Sequence, residues 1–312
     1  MKHMGKIIAI VVFLAILLSG CTKVPKDKKW GIYELDLKNN EVKLIYSSPF
    51  KISTLRLNNE GDTFVFSQNN GTDNKYEEIY SLNIDGSNLK RLTNNDFWDL
   101  YPTWSPNGTE IAFLSLRDKD LDIYMMDADG SNVHKFYDSG YHDADIHWAG
   151  EYIVFTSNNS IWRINDDGSN PVRITNPPRG GEWGNANLPF GDYDPQLNPM
   201  GNKIVFERLE NDTSKYGNYN IFTVDIDGSN ETRLTNTSYT QGFPTWSHSG
   251  EKIAYLVTAI DERGIYDIYI MNADGSENHC VTPSYFPDTF LCHAPVFSKD
   301  DSKLYFIGEW WK

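Results

Sequence analysis

The sequence predicts an all-β fold, a six-bladed β-propeller with four antiparallel strands per blade. Three observations carry that prediction. Five segments, IYSLNIDGSN, IYMMDADGSN, IWRINDDGSN, IFTVDIDGSN and IYIMNADGSE, each end a short apolar run in the same turn. Their glycines, Gly86, Gly130, Gly168, Gly228 and Gly275, recur at roughly 40–50 residues, the spacing of a repeated supersecondary unit. Around the turns the context also repeats, with a stretch like PTWSPNGTEIAF before most of them and a Leu-Thr-like ending after each. Finally, no helical period is legible anywhere after Cys21.

Taken in chain order, the first segment is a targeting signal rather than a folded element. Lys2 and Lys6 form a positive n-region, and Ile7 to Leu18 is an unbroken apolar run. A bilayer span needs about 20 residues, so the run reads as the h-region of a signal peptide over residues 1–20. Thr22 to Lys29 is polar and basic with Pro25 inside it, so residues 21–29 read as a tether and residues 30–312 as the propeller.

The second full copy shows the blade most clearly. Thr103 to Ser105 reads as a first strand, and Ser105-Pro106-Asn107-Gly108 as a turn in which Pro and Gly supply the special dihedrals. Ile111 to Leu114 and Ile123 to Met126 read as the second and third strands, and Asp129-Gly130 as a hairpin turn needing positive φ. Val133 to Phe136 is a more polar fourth strand. The middle strands are continuously apolar, as expected of a sheet covered on both faces. Lys90, Arg91, Arg173 and Arg233 on the fourth strands suit an outer edge that resists further pairing.

Five complete units run from about Lys51 to Pro283. Ala294 to Ser298 and Lys303 to Ile307 then supply only two inner strands, while Gly31 to Leu35 and Val42 to Tyr46, joined through Asn39-Asn40, supply only two outer ones. Together they make a sixth, composite blade that closes the ring and removes its free edges. The unit is expected to be a monomer.

Charge narrows the partners. Asp and Glu total 43 against 28 Lys and Arg, for a net charge of −15, and loss of Lys2 and Lys6 makes the rest more acidic still. Such a surface repels phosphate backbones, so nucleic acid is not an expected partner. In an exported protein Cys280 and Cys292 could form a disulfide, but they fall on an outer strand and the next inner strand, which favours two free, buried thiols.

PTWSPNGTEIAF, PTWSHSGEKIAY, DIYMMDADGSN and DIYIMNADGSE resemble the WD40-like repeats of TolB-type six-bladed propellers. The resemblance covers Trp30 to Trp311; Lys51 to Phe66 lacks the Pro-Trp pair, and Ile146 to Gly150 has a shortened first turn. It extends to the propeller and not to the additional N-terminal α/β domain of that family. Leu18-Ser19-Gly20-Cys21 resembles a lipobox, which implies lipidation of Cys21 and attachment to a membrane in the cell envelope, outside the cytoplasm. Similar blades precede the hydrolase domain of prolyl-oligopeptidase-like peptidases, but no G-x-S-x-G elbow occurs here.

Blade connectivity puts the SPNG-like and DG turns on one face and the longer connections on the other, which makes the variable face the expected binding face. At the starts of the innermost strands the chain places Asp99, His142, Asp143, Asp145, Asp192, Asp194, Gln241 and His293, expected to converge at the mouth of the central channel. Carboxylates with imidazole suit a divalent cation, Ca²⁺ or Mn²⁺. Asp before a strand equally serves to satisfy loop N–H groups. The Asp-x-Asp-Gly turns place their glycine too early for an EF-hand loop, and turn chemistry alone accounts for them. The long segment Asn176 to Asp194 brings Arg179, Trp183 and Phe190 as candidate partner contacts, and Glu207 to Asn220 reads as a second long loop.

Two functional readings follow. One is a non-catalytic, membrane-anchored propeller that binds an envelope protein or small ligand through its variable face. The other is a metal-dependent hydrolase or lyase with its ion at the acidic channel mouth.

Overall fold

A computed structural model describes residues 28–69, 71, 76–183, 189–211, 217–258 and 266–311. The segment expected to be a signal peptide, Cys21 and most of the expected tether lie outside the described residues. Six separate four-stranded sheets are present. Blade 1 comprises Ile52–Leu57, Thr63–Asn69, Glu77–Asn83 and Lys90–Arg91, from the channel outwards. Blade 2 runs Asp99–Trp104, Glu110–Ser115, Asp122–Asp127 and His134–Tyr137; blade 3 runs Asp143–Ala149, Tyr152–Ser157, Ser160–Asn165 and Val172–Arg173. Blade 4 is Gly191–Leu197, Lys203–Asn211, Asn218–Asp225 and Thr232–Arg233, and blade 5 is Gln241–Trp246, Lys252–Thr258, Tyr266–Asn272 and His279–Cys280.

Blade 6 is composite, as expected. Phe290–Phe297 and Lys303–Trp310 form its inner half, and Lys29–Asp36 with Val42–Ser48 its outer half. The two ends of the chain are joined by an antiparallel ladder from Lys29↔Trp310 to Asp36↔Lys303. Ring closure therefore rests on backbone hydrogen bonds between residues more than 260 positions apart in sequence, rather than on a covalent link.

The core lies between blades. Six apolar clusters follow the six blade-to-blade interfaces around the ring. Strand alternation explains why: Val65 packs toward blade 2, while its neighbours Phe64 and Phe66 pack toward blade 6. The middle strands must be apolar at every position because both faces are covered. Each fully buried side chain of this size contributes about 1.5–3 kcal/mol relative to an exposed one.

The repeated turns hold the blades together in two ways. Within a blade, Ala128 N–H donates to Thr109 O at 2.9 Å and Ile226 N–H to Asn202 O at 2.9 Å, which places both tight turns of a blade on one face. Between blades, the DG glycines approach the outer strand of the preceding blade. A Cβ at Gly130 would lie 2.8 Å from Leu92 O, and one at Gly86 would lie 2.7 Å from Ile45 O. The threonine of the Leu-Thr ending is also structural: Thr93, Thr175 and Thr235 Oγ1 each accept an N–H from the first half of the third strand, from Ile79, Ile161 and Ile221 at 2.9 Å.

Three expectations need correction. The innermost strand of blade 2 begins at Asp99 rather than Thr103, because a bulge at Tyr101-Pro102 interrupts the alternation that marks a strand. The described residues of the predicted loop from Glu207 to Asn220 are strand but for Gly217, paired through Arg208↔Asn220 and Leu209↔Tyr219, because Leu209 and Tyr219 are buried with Phe190. Both cysteines are free, but only Cys292 is buried; Cys280 sits on a two-residue outer strand and is exposed.

Candidate functional site

The innermost strands run from the connection face to the turn face, and each carries a bulge near its middle. In five blades the bulged residue has left-handed φ: Tyr101 (51°), Asp145 (54°), Asp194 (48°), Phe243 (52°) and Ala294 (45°). This conformation costs about 1–2 kcal/mol per non-glycine residue and redirects the side chain. Here it turns Asp145 and Asp194 into the channel, where they meet. Asp194 N–H donates to Asp145 Oδ2 at 3.4 Å.

Arg56, Tyr101 and His147 complete this layer with Glu207, whose Oε2 accepts Phe243 N–H at 2.9 Å. Burial raises Asp145 and lifts Asp194 well above the carboxylate range, and it pushes Glu207 up to about 8. Burial, reinforced by Arg56, holds His147 down to about 3, so its imidazole is neutral. His147 Nδ1 accepts Leu197 N–H at 3.1 Å, which leaves the proton on Nε2. Among the described residues no group of three or more His, Cys, Asp and Glu is arranged to hold a metal ion.

The other residues expected at the mouth turn away from it. Asp99 is fully buried within blade 2 and accepts Ser115 Oγ at 2.6 Å, Asn95 Nδ2 at 2.7 Å and Arg117 Nη2 at 2.9 Å. Asp143 accepts Ser139 Oγ at 2.6 Å, and burial raises its carboxyl to about 7. Asp192 is forked by Arg208, with Nε–Oδ1 2.5 Å and Nη2–Oδ2 3.0 Å, yet burial outweighs the cation and its carboxyl is still raised. Gln241 is buried at the start of the blade 5 inner strand. His142 accepts Leu121 N–H through Nδ1 at 3.0 Å and faces Asp120 at 3.4 Å. His293 packs between Trp30 and Tyr266 and contacts Glu309 Oε2 at 3.2 Å, while Lys28 pairs with Glu309 as well. The bulge is the reason for this divergence: Asp99, Asp143 and Asp192 lie before it and bond within their own blade or to the connection that enters it, whereas Asp145 and Asp194 lie on it.

Those buried carboxylates anchor the connections instead. Asn95 ties the connection from blade 1 to Asp99 and, through its N–H at 2.8 Å, to the buried Glu78. Ser139 ties the next connection to Asp143. In the third, Gly181 N–H donates to Phe190 O at 2.9 Å and Phe190 N–H to Glu182 O at 2.8 Å, which makes a hairpin of its described ends. Phe190 is not a surface contact; it is buried with Leu209 and Tyr219, and the Arg179 guanidinium lies 3.9 Å from its ring centroid. Arg179 also pairs with Glu182 at 2.9 Å. Trp183 remains half exposed.

Among the described residues the exposed large aromatics are Phe97 (42%), Tyr141 (56%), Trp183 (50%) and Tyr285 (65%), and each lies on a blade-to-blade connection. Phe97, Tyr141 and Trp183 occupy three consecutive connections. Tyr285 donates its hydroxyl to Asn40 O at 3.1 Å, at the turn of blade 6.

The residues that sequence reasoning missed are Arg56, Tyr101, His147 and Glu207. One signal was available for two of them. Aligning the repeats on the residue before the Trp104, Trp148 and Trp246 column gives Arg56, Thr103, His147, Gln196, Thr245 and Val296, a column far more polar than its neighbours.

Six four-stranded antiparallel blades, closed by the joined ends of the chain around an axial channel, define a six-bladed β-propeller. The profile of the TolB β-propeller domain, PD40, matches residues 26–247, and the chain belongs to that family. An uncharacterized protein of Agrobacterium fabrum is 30% identical over 192 residues, covering 57% of this chain and 61% of the relative. The Tol-Pal system protein TolB of Francisella tularensis subsp. mediasiatica is 25% identical over 290 residues, covering 88% of this chain and 61% of its own length. The chain thus spans less than two thirds of either relative. The solved structure of a putative TolB from Agrobacterium tumefaciens shares the fold, with a TM-score of 0.70 at 17% identity over 91% of this chain and 99% of that one.

Proposed function

We propose that this protein is a lipid-anchored extracytoplasmic propeller that binds an envelope protein, without catalysis, through the face bearing its blade-to-blade connections. One observation carries the reading: three consecutive connections each present an exposed aromatic side chain, Phe97, Tyr141 and Trp183, on a base tied to the buried Asp99, to the buried Asp143 or, in the third, by backbone hydrogen bonds around Phe190. Rigid aromatics on preorganised loops are the usual anchors of protein interfaces, because they cover area at low entropic cost. The lipobox at Cys21 supports attachment at a membrane. Relatives that carry the name of the Tol-Pal system support a setting of several envelope proteins.

Membrane fractionation with crosslinked affinity capture tests both parts in one experiment. Wild-type chain is expected in the membrane fraction with its partner. Cys21→Ala is expected in the soluble fraction, and Phe97→Ala/Tyr141→Ala/Trp183→Ala in the membrane fraction without the partner. Membrane retention of C21A would refute the anchor, and undiminished capture by the triple variant would refute the face.

A further inference from the structure

The opposite end of the channel carries a feature that loop-face binding does not use. A cavity of about 440 Å³ opens on the turn face, and all six blades line it. Its collar is apolar, formed by Leu57, Trp104, Trp148, Leu197, Trp246 and Phe297. No aspartate or glutamate lines it, although acidic residues outnumber basic ones by 43 to 28 in this chain. An acidic protein that keeps carboxylates out of one cavity is not tuned there for a cation.

Arg56 gives the cavity its charge. Its Nη1 donates to Leu55 O at 3.0 Å, while its Nε is buried and has no acceptor. Burial lowers Arg56 itself, and Asp194 and Asp145 behind it act the other way, but burial raises both of those carboxyls, which weakens their opposition to its charge. Lys299 at the rim faces Glu60 at 3.5 Å and is largely solvated. His147, neutral and with its proton on Nε2, lines the cavity as a second donor. A guanidinium at the wall of such a cavity, with one donor already left without an acceptor, is stabilised by an anion placed against it. One guanidinium and a neutral donor balance a single negative charge, which a carboxylate carries and a phosphate dianion exceeds.

We infer that this cavity binds a monocarboxylate, with the carboxylate held by Arg56 and the apolar body of the ligand in the tryptophan-containing collar. Cavities of this size take small molecules or a few residues of peptide. The carboxylate belongs either to a free small acid or to the C-terminus of a polypeptide, and the chemistry is the same.

The test is calorimetric titration of the full chain with hexanoate and with acetyl-Gly-Leu, each compared with its amide. Hexanoate, the dipeptide acid or both are expected to bind, and the neutral amides to bind at least about tenfold more weakly. Binding of hexanoate alone assigns the source as a free acid, and binding of the dipeptide acid assigns it as a chain terminus. Arg56→Gln is expected to lose the discrimination between acid and amide. Thr245→Phe, which fills the cavity and leaves Arg56 in place, is expected to abolish binding; this second variant keeps the test decisive if R56Q fails to fold. Equal binding of acid and amide, unchanged affinity in both variants, or no heat from either acid at millimolar concentration would overturn the assignment. Capture of an envelope partner by the opposite face is unaffected by T245F, so the two readings fail separately.

Discussion

At the residue scale, the DG glycines show how a repeated turn becomes a spacer between blades. Gly130 combines φ of +87° with a close approach to Leu92 O, so a side chain there is strained and also pushes blade 1 from blade 2. Gly108 has φ of +71° but open space around its Cβ position. Gly108→Ala is therefore expected to cost about 1 kcal/mol from backbone strain alone, and Gly130→Ala about 2–3 kcal/mol. Urea unfolding of the two variants measures the difference, and equal losses would contradict the spacer role. Hairpin chemistry in the sequence explains the glycine at both positions, but it does not reveal the neighbouring carbonyl. That contact depends on how two blades pack.

Strands and connections carry the division between scaffold and face. The blade count, the face shared by the tight turns and the composite sixth blade were legible because local turn chemistry and apolar runs encode them. The innermost strands were not read correctly, since a bulge breaks their alternation and sends Asp145 and Asp194 to one side and Asp143 and Asp192 to the other. Sequence spacing alone therefore grouped carboxylates with different surroundings. Asp192 illustrates their structural use: with Arg208 it ties the two inner strands of blade 4 just after the third connection, and the pair is almost wholly buried. Removing the cation leaves a buried carboxyl without its partner. Arg208→Leu is expected to destabilise the protein by about 3–5 kcal/mol at neutral pH, measured by denaturant unfolding. A loss below about 1 kcal/mol would mean that the fork does not hold this region together.

For the whole molecule, the buried channel carboxyls predict an unusual pH dependence. Glu207 is raised to about 8 and Asp143 to about 7, so both are protonated in the fold at pH values where the unfolded chain has released those protons. Their contribution is fully present below the unfolded carboxylate pKa and is lost as pH rises through the folded values. His147, depressed to about 3, acts in the opposite sense, and its contribution is lost as pH falls below its unfolded value of about 6.5. Between pH 6.5 and 8 only the carboxyls act, and stability is expected to fall. Glu207→Gln keeps an acceptor for Phe243 N–H and removes the titration. It is expected to gain stability relative to wild type already at pH 6, and to gain about 2–3 kcal/mol more by pH 8. Thermal unfolding across that range checks the sign, and a parallel decline in E207Q and wild type would contradict it.

The propeller as a whole thus has two unlike faces: tight turns around a carboxylate-free cavity, and pinned connections that display aromatic side chains. Site-specific photo-crosslinking in cells tests the central claim most directly, with the crosslinker placed at Tyr141 or Trp183 on the connection face and at Asn107 on the turn face. The account predicts a discrete protein adduct from positions 141 and 183, whether or not one forms at 107. An adduct from 107, with none from 141 or 183, would contradict it.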